Sequence, residues 1–364
     1  MTDIREALGL RKIINAAGPV SVFGGGAPGS AAAAAAQAIL ALPVEIAQLQ
    51  AIASGRIAAA FGCEAGCVTA GAAAGIAIAV AAAMTGHNRA RVAQLPDTKG
   101  MKHRVATQRG HDANFGTLVS QVIRLTGAAL DSIGNAERCD PDELRRALGP
   151  DTAAAVFVVS HHTAQSGMIG LAEFCDICHA AGVPVIVDAA GEHDPRDQLG
   201  AGADIVIVSA HKNYGALTAG IVMGRRSLIE ACLMQDAGIG RPMKVGKEGI
   251  ASVIAALDEW RRQDRKAVHA DWTRRARLAV DALGGIPGLR VEIAPDTPGS
   301  PLNRARIHAG SCDRIVRALA SGEPSIRVWQ HGLPHGYFEL DPRTIDDQDM
   351  QTICRAIQAL ATGG

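Results

Sequence analysis

The sequence has no surplus of charge of either sign. Its 364 residues include 36 Lys plus Arg and 36 Asp plus Glu, which gives a formal net charge of +0 at pH 7. A chain without a basic surplus has no general attraction to phosphate backbones or to anionic lipid surfaces. We therefore expect neither nucleic acid nor a membrane as a partner.

Targeting and membrane-spanning patterns are also lacking. The first residues, Met1 to Arg5, do not show the charged-then-apolar order of a signal peptide. The Ala-rich run near Ala73 is interrupted by Gly and is shorter than a membrane span. We expect a cytoplasmic protein.

The eight cysteines form no framework of paired spacings. A reducing compartment keeps such thiols unpaired, and they then pack as small apolar groups. Cys175 and Cys178 form a C-x-x-C, but no second pair completes a tetrahedral metal site. We therefore expect no disulfides, and we interpret this pair as packing residues of the amphipathic segment 171–181.

The composition that is present indicates a globular chain with more than one core. Apolar residues make up 48% of the sequence and charged residues 20%, which is enough apolar surface for a full core. A chain of this length exceeds the size at which one core usually keeps growing. The expectation is a large domain and a smaller one.

Apolar, β-rich runs alternate with helical patterns between about residues 51 and 224. The runs 154–159, 183–187 and 204–208 are almost continuously apolar, which is typical of parallel strands covered on both faces. The segment 171–181 has helical spacing and stops at Gly182 before the next run, so these elements form a βαβ unit.

The expected domains follow from these patterns. Residues 1–45, with the glycines near Gly25, form an N-terminal arm or part of the small domain, and residues 46–250 form the large domain. Residues 251–364 contain a linking helix and the small C-terminal domain. The charged helical pattern over 250–284 predicts one helix long enough to run between lobes, and the part from 289 onward predicts short strands with a last helix.

Polar residues follow the three apolar runs at the points where each run ends. Ligands bind at the carboxyl ends of strands in an open parallel sheet, so Ser160, Asp188, Ser209 and the residues up to Lys212 are expected to converge. A partly desolvated lysine is nucleophilic and suits Schiff-base formation, and a buried aspartate keeps a pyridine nitrogen protonated. Each residue alone also fits a plainer role, since a strand-end Asp often caps a helix and a loop Lys is usually a solvated charge.

Two upstream segments add to this pattern. The stretch 66–75 is rich in Gly and Ala and leads into a helix whose first N–H groups can bind a phosphate, or whose small residues serve close packing. His111 follows a short β-like run and can lay its ring on a planar cofactor, or serve as a capping or core residue. His161, His162 and His193 have no carboxylate or thiol at a recognised ligand spacing, so no metal site is predicted.

The order of these motifs resembles the selenocysteine synthase-like branch of the fold-type-I pyridoxal-phosphate enzymes, including its glucosaminate-6-phosphate ammonia-lyase-like members. The resembling segments span nearly the whole chain, and they are 14–18, 69–75, 185–190, 202–212, 241–248 and 341–344.

The resemblance implies an α/β protein of the aspartate-aminotransferase-like fold, with a mostly parallel seven-stranded sheet in the large domain and a small α+β C-terminal domain. It implies pyridoxal 5'-phosphate as cofactor. By matching positions, Lys212 is the Schiff-base lysine, Asp188 the partner of the pyridine nitrogen, His111 the stacking residue and Ala70-Gly71-Ala72 the phosphate cradle. Ser160 and Ser209 are expected to contact the cofactor at the strand ends.

The sequence departs from the family pattern at two of these positions. Ala70 stands where relatives often have Ser, and His211 precedes the lysine where many have Gly or Asp. His211 is therefore either a second acid or base near the substrate or a residue that only bonds backbone.

Substrate binding and assembly are also implied by the resemblance. Arg343, with Arg327 as second choice, clamps the carboxylate of an amino acid substrate, or it is an ordinary surface arginine. Asn15 is also expected to bind the substrate. The nearby cations at 241–248, which are Arg241, Lys244 and Lys247, either require an anion or a carboxylate close by or form a solvated helix start. They bind either the cofactor phosphate of a neighbouring subunit or an anionic group of the substrate, in a homo-oligomer built from dimers with shared sites.

The implied reaction is an α,β-elimination that converts a β-hydroxy amino acid or an amino-sugar acid into a 2-keto acid and ammonia. The same Lys and Asp also suit an aldolase or a racemase. Selenium transfer to a charged tRNA is disfavoured because the chain has no basic surplus. A cofactor-free structural or regulatory relative is the non-enzyme alternative, and the presence of both Lys212 and Asp188 counts against it.

Overall fold

The computed structural model of the chain describes residues 3–160, 163–192, 194–296 and 301–362. It divides into a larger unit, Pro28–Arg262, and a smaller unit made of Met1–Ala27 and Gln263–Gly364. The domain boundaries expected at residues 45 and 250 stay predictions, and the two units of the structure divide after Ala27 and after Arg262.

Twelve strands are formed by the described residues. They are β1 (Ile13–Ala16), β2 (Ala65–Thr69), β3 (Arg104–Gln108), β4 (Ala129–Ile133), β5 (Thr152–Val158), β6 (Val185–Asp188), β7 (Ile205–Ser209), β8 (Gly220–Gly224), β9 (Leu289–Pro295), β10 (Asn303–Ala309), β11 (Ser325–Val328) and β12 (Tyr337–Leu340).

Fifteen α-helices accompany them in the same described ranges. They are α1 (Ile4–Ala7), α2 (Ser30–Leu40), α3 (Ile46–Phe61), α4 (Ala72–Thr85), α5 (Arg89–Gln94), α6 (Val119–Arg124), α7 (Pro141–Ala147), α8 (Leu171–Ala180), α9 (Arg196–Gly200), α10 (Ala210–Asn213), α11 (Arg226–Met234), α12 (Lys247–Trp260), α13 (Arg265–Leu283), α14 (Cys312–Ser321) and α15 (Asp347–Thr362). Short 3-10 turns occur at Ser21–Phe23, Arg109–His111, Gln235–Ala237, Arg241–Met243, Leu333–His335 and Pro342–Thr344.

The larger unit is built on a seven-stranded sheet with the order β2-β8-β7-β6-β5-β3-β4. All neighbours are parallel except β8, which runs antiparallel to both β2 and β7. Strands β5 to β8 are buried along their whole length. Successive residues point into different cores, since Val185 and Val187 belong to one apolar cluster and Ile186 to the other. The predicted mostly parallel seven-stranded sheet is confirmed.

The βαβ unit forms where the sequence predicts it. Helix α8 ends at Ala180, and Gly182 has a φ of 68°, the left-handed conformation that glycine adopts at little cost. Cys175 and Cys178 are buried in the core between α8 and the sheet. All eight cysteines are free thiols.

The smaller unit is an α+β structure, as predicted. It contains a parallel pair, β1-β11, and an antiparallel three-stranded sheet in the order β12-β10-β9. Its apolar core is formed by residues of both sheets and of α13, α14 and α15, such as Ile307, Phe338 and Ile353. Helix α14 was not part of the sequence-based expectation, which placed one last helix in this region.

Residues 250–284 form two helices, α12 and α13, rather than the single long helix that the sequence predicts. The side chain of Asp264 accepts hydrogen bonds from the N–H groups of Lys266 and Ala267, so it caps a new helix. In the larger unit α12 packs against α2. Helix α2 lies before the boundary predicted at residue 45, and α12 extends past the one predicted at residue 250. Among the described residues no helix is both long and apolar enough to cross a membrane.

Candidate active site

The carboxyl ends of three neighbouring strands lie at one edge of the sheet. Asp188, the last residue of β6, is in register with Val158 at the end of β5 and with Ile207 of β7. Ser209, the last residue of β7, pairs with Gly220 of β8, which in turn pairs with Thr69 at the end of β2. The structure therefore brings the strand-end residues of the larger unit together, as the pattern of a parallel sheet requires.

Asp188 is a buried carboxyl group whose surroundings act on it in opposite directions. The residue is only 5% exposed to solvent, and its Oδ1 accepts a hydrogen bond of 3.1 Å from the N–H of Ala190. Burial raises the pKa of Asp188 to about 6, while this hydrogen bond and the positive charge of Lys212 lower it. The group is charged at neutral pH in a low-dielectric place, where a protonated ring nitrogen is a suitable partner.

Lys212 lies in α10, the single turn that follows β7. The N–H of Ala210 donates to the carbonyl oxygen of Ala219 over 3.0 Å, which fixes the start of this turn against the chain leading into β8. Lys212 is half-buried and close enough to Asp188 to act on its charge. A lysine held in this way suits covalent attachment of a carbonyl compound.

His211 precedes the lysine and contacts the strand end. Its Nδ1 lies 3.2 Å from the Oγ of Ser209. Burial and the positive charge of Lys212 lower the pKa of His211, which favours the neutral ring. The Ser209 hydroxyl is thus within hydrogen-bond distance of His211. Ser160, the other predicted cofactor contact, lies two residues beyond the end of β5.

His111 is fully buried in the 3-10 turn that follows β3. Its Nδ1 accepts a hydrogen bond of 3.3 Å from the N–H of Val158, and its ring meets Phe157 edge-on with centroids 4.4 Å apart. Burial lowers the pKa of His111 to about 4. The ring is therefore neutral with its proton on Nε2, which has no hydrogen-bond partner in the described part of the chain.

Ala70, Gly71 and Ala72 form the turn from β2 into α4. Gly71 is the N-cap of this fourteen-residue helix, and no side chain caps it. The first backbone N–H groups of such a helix need partners and favour an anion. Gly220 lies against the turn, because a Cβ built there would be 2.7 Å from the N atom of Ala72.

The cations of the 241–248 segment line a cavity of about 630 Å³ within the larger unit. Its wall contains Arg241, Lys244 and Lys247 together with the carboxylates of Asp236 and Glu248. The Nζ of Lys247 also donates to the carbonyl oxygen of Leu42 over 2.5 Å. The negative groups that the sequence required near these cations are therefore present.

The three predicted substrate-binding residues of the smaller unit come together although they are far apart in the sequence. Asn15 of β1 is in register with Arg327 of β11, and the Oγ1 of Thr344 donates to the Asn15 carbonyl oxygen over 2.6 Å. A Cβ built on Gly18 would lie 3.1 Å from the Nη2 of Arg343. The Asn15 side chain closes this loop by donating to the carbonyl oxygen of Gly18.

The two arginines of this cluster differ in their surroundings. Arg343 donates to Asp341 through Nε over 2.9 Å and Nη2 over 2.6 Å, and buried Asp341 also accepts from Arg304. These guanidinium groups hold the pKa of Asp341 far below its usual range. The guanidinium of Arg327 lies 5.8 Å from the ring centre of Phe23, and its buried Nε has no partner in the described ranges.

The sequence-based reasoning missed two residues at the sheet edge. Gly220 begins an apolar run, which was a signal of a close backbone approach. Asn213 follows the lysine, and its amide joins two loops of the larger unit through hydrogen bonds to Ala190 and Glu192.

The residues of the larger unit fit pyridoxal 5'-phosphate. The Nε2–H of His111, unpaired within the described ranges, suits the cofactor ring, and the uncapped helix start at Gly71 suits its phosphate. The buried carboxyl group of Asp188 suits its ring nitrogen. Lys212 supplies the amine that binds its aldehyde.

Comparison with known proteins identifies the family. The aminotransferase class-V family matches residues 82–266 of the chain. The D-glucosaminate-6-phosphate ammonia lyase of Salmonella typhimurium is 34% identical over 99% of this chain and 98% of its own length. The chain belongs to the aminotransferase class-V family.

Other members of this group extend the comparison. The 5'-C-glycyluridine monooxygenase-decarboxylase of a Streptomyces species is 35% identical over 87% of this chain and 82% of its own. A solved structure of D-glucosaminate-6-phosphate ammonia-lyase, 34% identical, superposes with a TM-score of 0.90 over 100% of this chain and 99% of that one. Aspartate aminotransferase from Thermus thermophilus, 14% identical, superposes with a TM-score of 0.57 over 98% and 93%.

These relationships confirm the predicted resemblance, the aspartate-aminotransferase-like fold and the pyridoxal 5'-phosphate cofactor. They also confirm the predicted enzyme class, a pyridoxal-phosphate-dependent lyase. The roles of the individual residues remain predictions.

His161, His162 and His193 lie outside the described residues. Among the residues that the structure does describe, no group of three or more His, Cys, Asp or Glu side chains is arranged to hold a metal ion.

Proposed function

We propose that this class-V family member removes water from a 2-amino-3-hydroxy acid and releases a 2-keto acid and ammonia. The proposed substrate class is an amino-sugar acid that carries a phosphate group. The observation that carries this proposal is the relationship along the full chain to an ammonia-lyase that acts on D-glucosaminate 6-phosphate. In the balanced reaction one water leaves the substrate and one water later releases ammonia.

Lys212 carries the central role in this proposal. When bound, pyridoxal 5'-phosphate withdraws electrons from the substrate Cα and makes its bonds labile. The amine of Lys212, once the substrate amine has replaced it, accepts the Cα proton and delivers a proton to the departing hydroxyl group. Its half-buried place beside Asp188 supports this role.

Asp188 and His111 act on the cofactor from fixed positions in this proposal. Asp188 pairs with the ring nitrogen and keeps it protonated, which strengthens electron withdrawal. His111 is neutral, and its Nε2–H, which has no partner among the described residues, would be available to the cofactor. Ala70, Gly71 and Ala72 would bind the cofactor phosphate through backbone N–H groups. Ser160, Ser209 and His211 complete the strand-end contacts, with His211 as the second candidate acid or base.

The substrate class has two anionic ends, and the chain offers a basic place for each. We assign the substrate phosphate to the cavity of Arg241, Lys244 and Lys247, with a cofactor phosphate of a neighbouring subunit as the alternative occupant. We assign the substrate carboxylate to the cluster of Asn15, Arg327 and Arg343. Within that cluster Arg327 is preferred, because the guanidinium of Arg343 already donates two hydrogen bonds to Asp341.

A decarboxylating reaction is the second candidate. It is favoured by the 35% identical relative whose name describes a monooxygenase and decarboxylase of a glycyl nucleoside. The two candidates differ in their products, because elimination releases ammonia without consuming oxygen, whereas this relative's type of reaction requires oxygen and releases carbon dioxide.

We further propose a cytoplasmic homo-oligomer built from dimers. Exposed apolar side chains recur along the segment 40–52, and Ile46 of this segment also lines the basic cavity. They are Leu40, Leu42, Val44, Ile46 and Ile52. Patches of this kind usually contact another chain. Light scattering after gel filtration measures the assembly, and a monomer would contradict this part of the proposal.

The test begins with the purified protein and pyridoxal 5'-phosphate. We expect a visible absorption band. Borohydride reduction followed by peptide mapping should place the modification on Lys212 in the wild type, and the Lys212→Ala variant should carry no modification at this position. Lys266→Ala is the matched control, since Lys266 is an exposed lysine of α13. Keto-acid and ammonia release is then compared for D-glucosaminate 6-phosphate, D-glucosaminate and serine, with oxygen uptake recorded in parallel. Modification elsewhere, or oxygen uptake with carbon dioxide release, would overturn the proposed function.

A further inference from the structure

The side-chain amide of Asn213 joins two loops at the carboxyl edge of the sheet. Its Nδ2 donates to the carbonyl oxygen of Ala190 over 3.0 Å and to that of Glu192 over 2.8 Å. Of the two ends of a side-chain amide only the NH2 group donates, so the orientation of this amide is determined by its two carbonyl partners. Asn213 is thereby attached to the loop that follows β6.

That loop carries a hydrogen bond to the carboxyl group of Asp188. The N–H of Glu192 donates to the carbonyl oxygen of Ala189 over 2.9 Å, which closes a turn, and the N–H of Ala190 donates to Asp188 Oδ1 over 3.1 Å. The amide of Asn213 therefore holds the turn whose backbone supports Asp188. On its own side, Asn213 is the residue next to Lys212 in the single turn α10.

The second atom of the amide adds an independent observation. Asn213 Oδ1 is buried and has no hydrogen-bond partner among the described residues. A buried acceptor without a partner lowers the stability of a fold. Asn213 thus keeps an orientation that serves the two carbonyl oxygens although its own oxygen is unsatisfied.

We propose that Asn213 is a positioning residue that holds the carboxyl group of Asp188 and the amine of Lys212 in a fixed relation. It acts through the Ala189–Glu192 turn and does not itself take part in proton transfer. This inference rests on the proposed function, because it assigns Asp188 and Lys212 to the same site. A clamp of two hydrogen bonds removes motion between two reacting groups, which contributes to catalysis by preorganisation.

The first test measures the clamp itself. Hydrogen–deuterium exchange of the full chain, with and without pyridoxal 5'-phosphate, compares the wild type with Asn213→Ala. We expect the amides of residues 189–192 to exchange about tenfold faster in the variant, as the loss of two hydrogen bonds implies. Asn135→Ala is the matched control, since Asn135 also makes two side-chain hydrogen bonds to backbone, with the N–H groups of Glu137 and Arg138.

The second test measures the consequence for the site. The absorption of the bound cofactor is titrated with pH, and we expect the midpoint to shift by about one pH unit in Asn213→Ala, because the N–H of Ala190 that donates to Asp188 is no longer held in place. Asn135→Ala should leave the midpoint unchanged. If Asn213→Ala does not fold, Asn213→Asp keeps the side-chain volume and removes both donors, and it is expected to shift the midpoint in the same direction.

The outcomes separate this inference from the proposed function. If the cofactor is not bound to Lys212 in the wild type, the proposed function fails, and exchange in the cofactor-free chain still decides whether the clamp exists. If the cofactor is bound there but exchange and midpoint are unchanged in both Asn213 variants, the clamp is overturned and the proposed function stands. A fall in melting temperature without either change would also overturn it.

Discussion

Gly220 lies so close to Gly71 that a Cβ built on Gly220 would be 2.5 Å from the carbonyl carbon of Gly71. Strand β8 therefore runs directly beneath the start of α4, where the backbone N–H groups face away from the helix. No side chain fits between them, which is why glycine is required at the first position of β8. The contact ties the helix start to the strand that also pairs with Ser209.

Replacing Gly220 by alanine is expected to displace the turn at Gly71 and Ala72. We expect the cofactor affinity to fall at least about tenfold and the free energy of unfolding to fall by about 1–3 kcal/mol, as overpacking implies. Fluorescence titration with pyridoxal 5'-phosphate and urea unfolding measure both. Gly170→Ala is the control, since no atom lies within 4 Å of a Cβ built there. An unchanged cofactor affinity in Gly220→Ala would refute the assigned cradle.

Asp188→Asn is expected to stabilise the cofactor-free chain while it lowers activity. Burial raises the pKa of Asp188 to about 6, so the folded state binds this proton more tightly than the unfolded state does. Stability therefore falls as pH rises from about 4 to about 6, and the variant should gain about 1–3 kcal/mol at pH 7 but almost nothing at pH 4. Urea unfolding at both pH values tests this, and a variant less stable at pH 7 would contradict it.

His111 is expected to act on stability with the opposite sign. Burial lowers its pKa to about 4, so the unfolded state binds this proton more tightly than the folded state. The contribution is complete above about pH 6.5 and is lost as pH falls toward 4. His111→Gln should flatten the pH dependence of unfolding in this window, whereas replacement of the exposed His335 by Gln should not. An identical slope in both variants would disprove the assignment.

Arg327→Ala is expected to weaken substrate binding without a large change in stability. A hydrogen bond to a charged group contributes about 1.5–3 kcal/mol, so KM should rise on the order of 10- to 100-fold. Steady-state kinetics with D-glucosaminate 6-phosphate measures this, and urea unfolding provides the comparison of stability. An unchanged KM would remove Arg327 from the proposed carboxylate site.

Arg343→Ala is expected to act mainly on the fold. Asp341 is fully buried and would lose the two hydrogen bonds of the Arg343 guanidinium. The backbone N–H of residue 343 and the Arg304 side chain, which also pairs with Asp296, would remain. The free energy of unfolding should therefore fall by about 1–3 kcal/mol. The loop of Gly18, which touches Arg343, should loosen with it. If Arg343→Ala instead raised KM strongly at unchanged stability, the roles of Arg327 and Arg343 would be reversed.

The sequence by itself determined the local part of this protein. Short segments encode the apolar runs of β5, β6 and β7 and the helix that ends before Gly182. They also encode the polar residues that follow those runs, which are Asp188, Ser209 and Lys212. A parallel sheet places the carboxyl ends of its strands at one edge, so the convergence of these residues followed from strand order alone. The order of motifs along the chain then sufficed to indicate the cofactor.

Only the tertiary structure decided which residues from distant segments meet. Asn15, Arg327 and Arg343 form one cluster because β1 pairs with β11 and because Thr344 bonds to Asn15. Register and packing between elements also determine three further features. They are the burial of His111, the approach of Gly220 to Gly71 and the clamp of Asn213. No pattern within a few residues encodes such contacts, because their geometry is set by side chains that are brought together only when the two cores form.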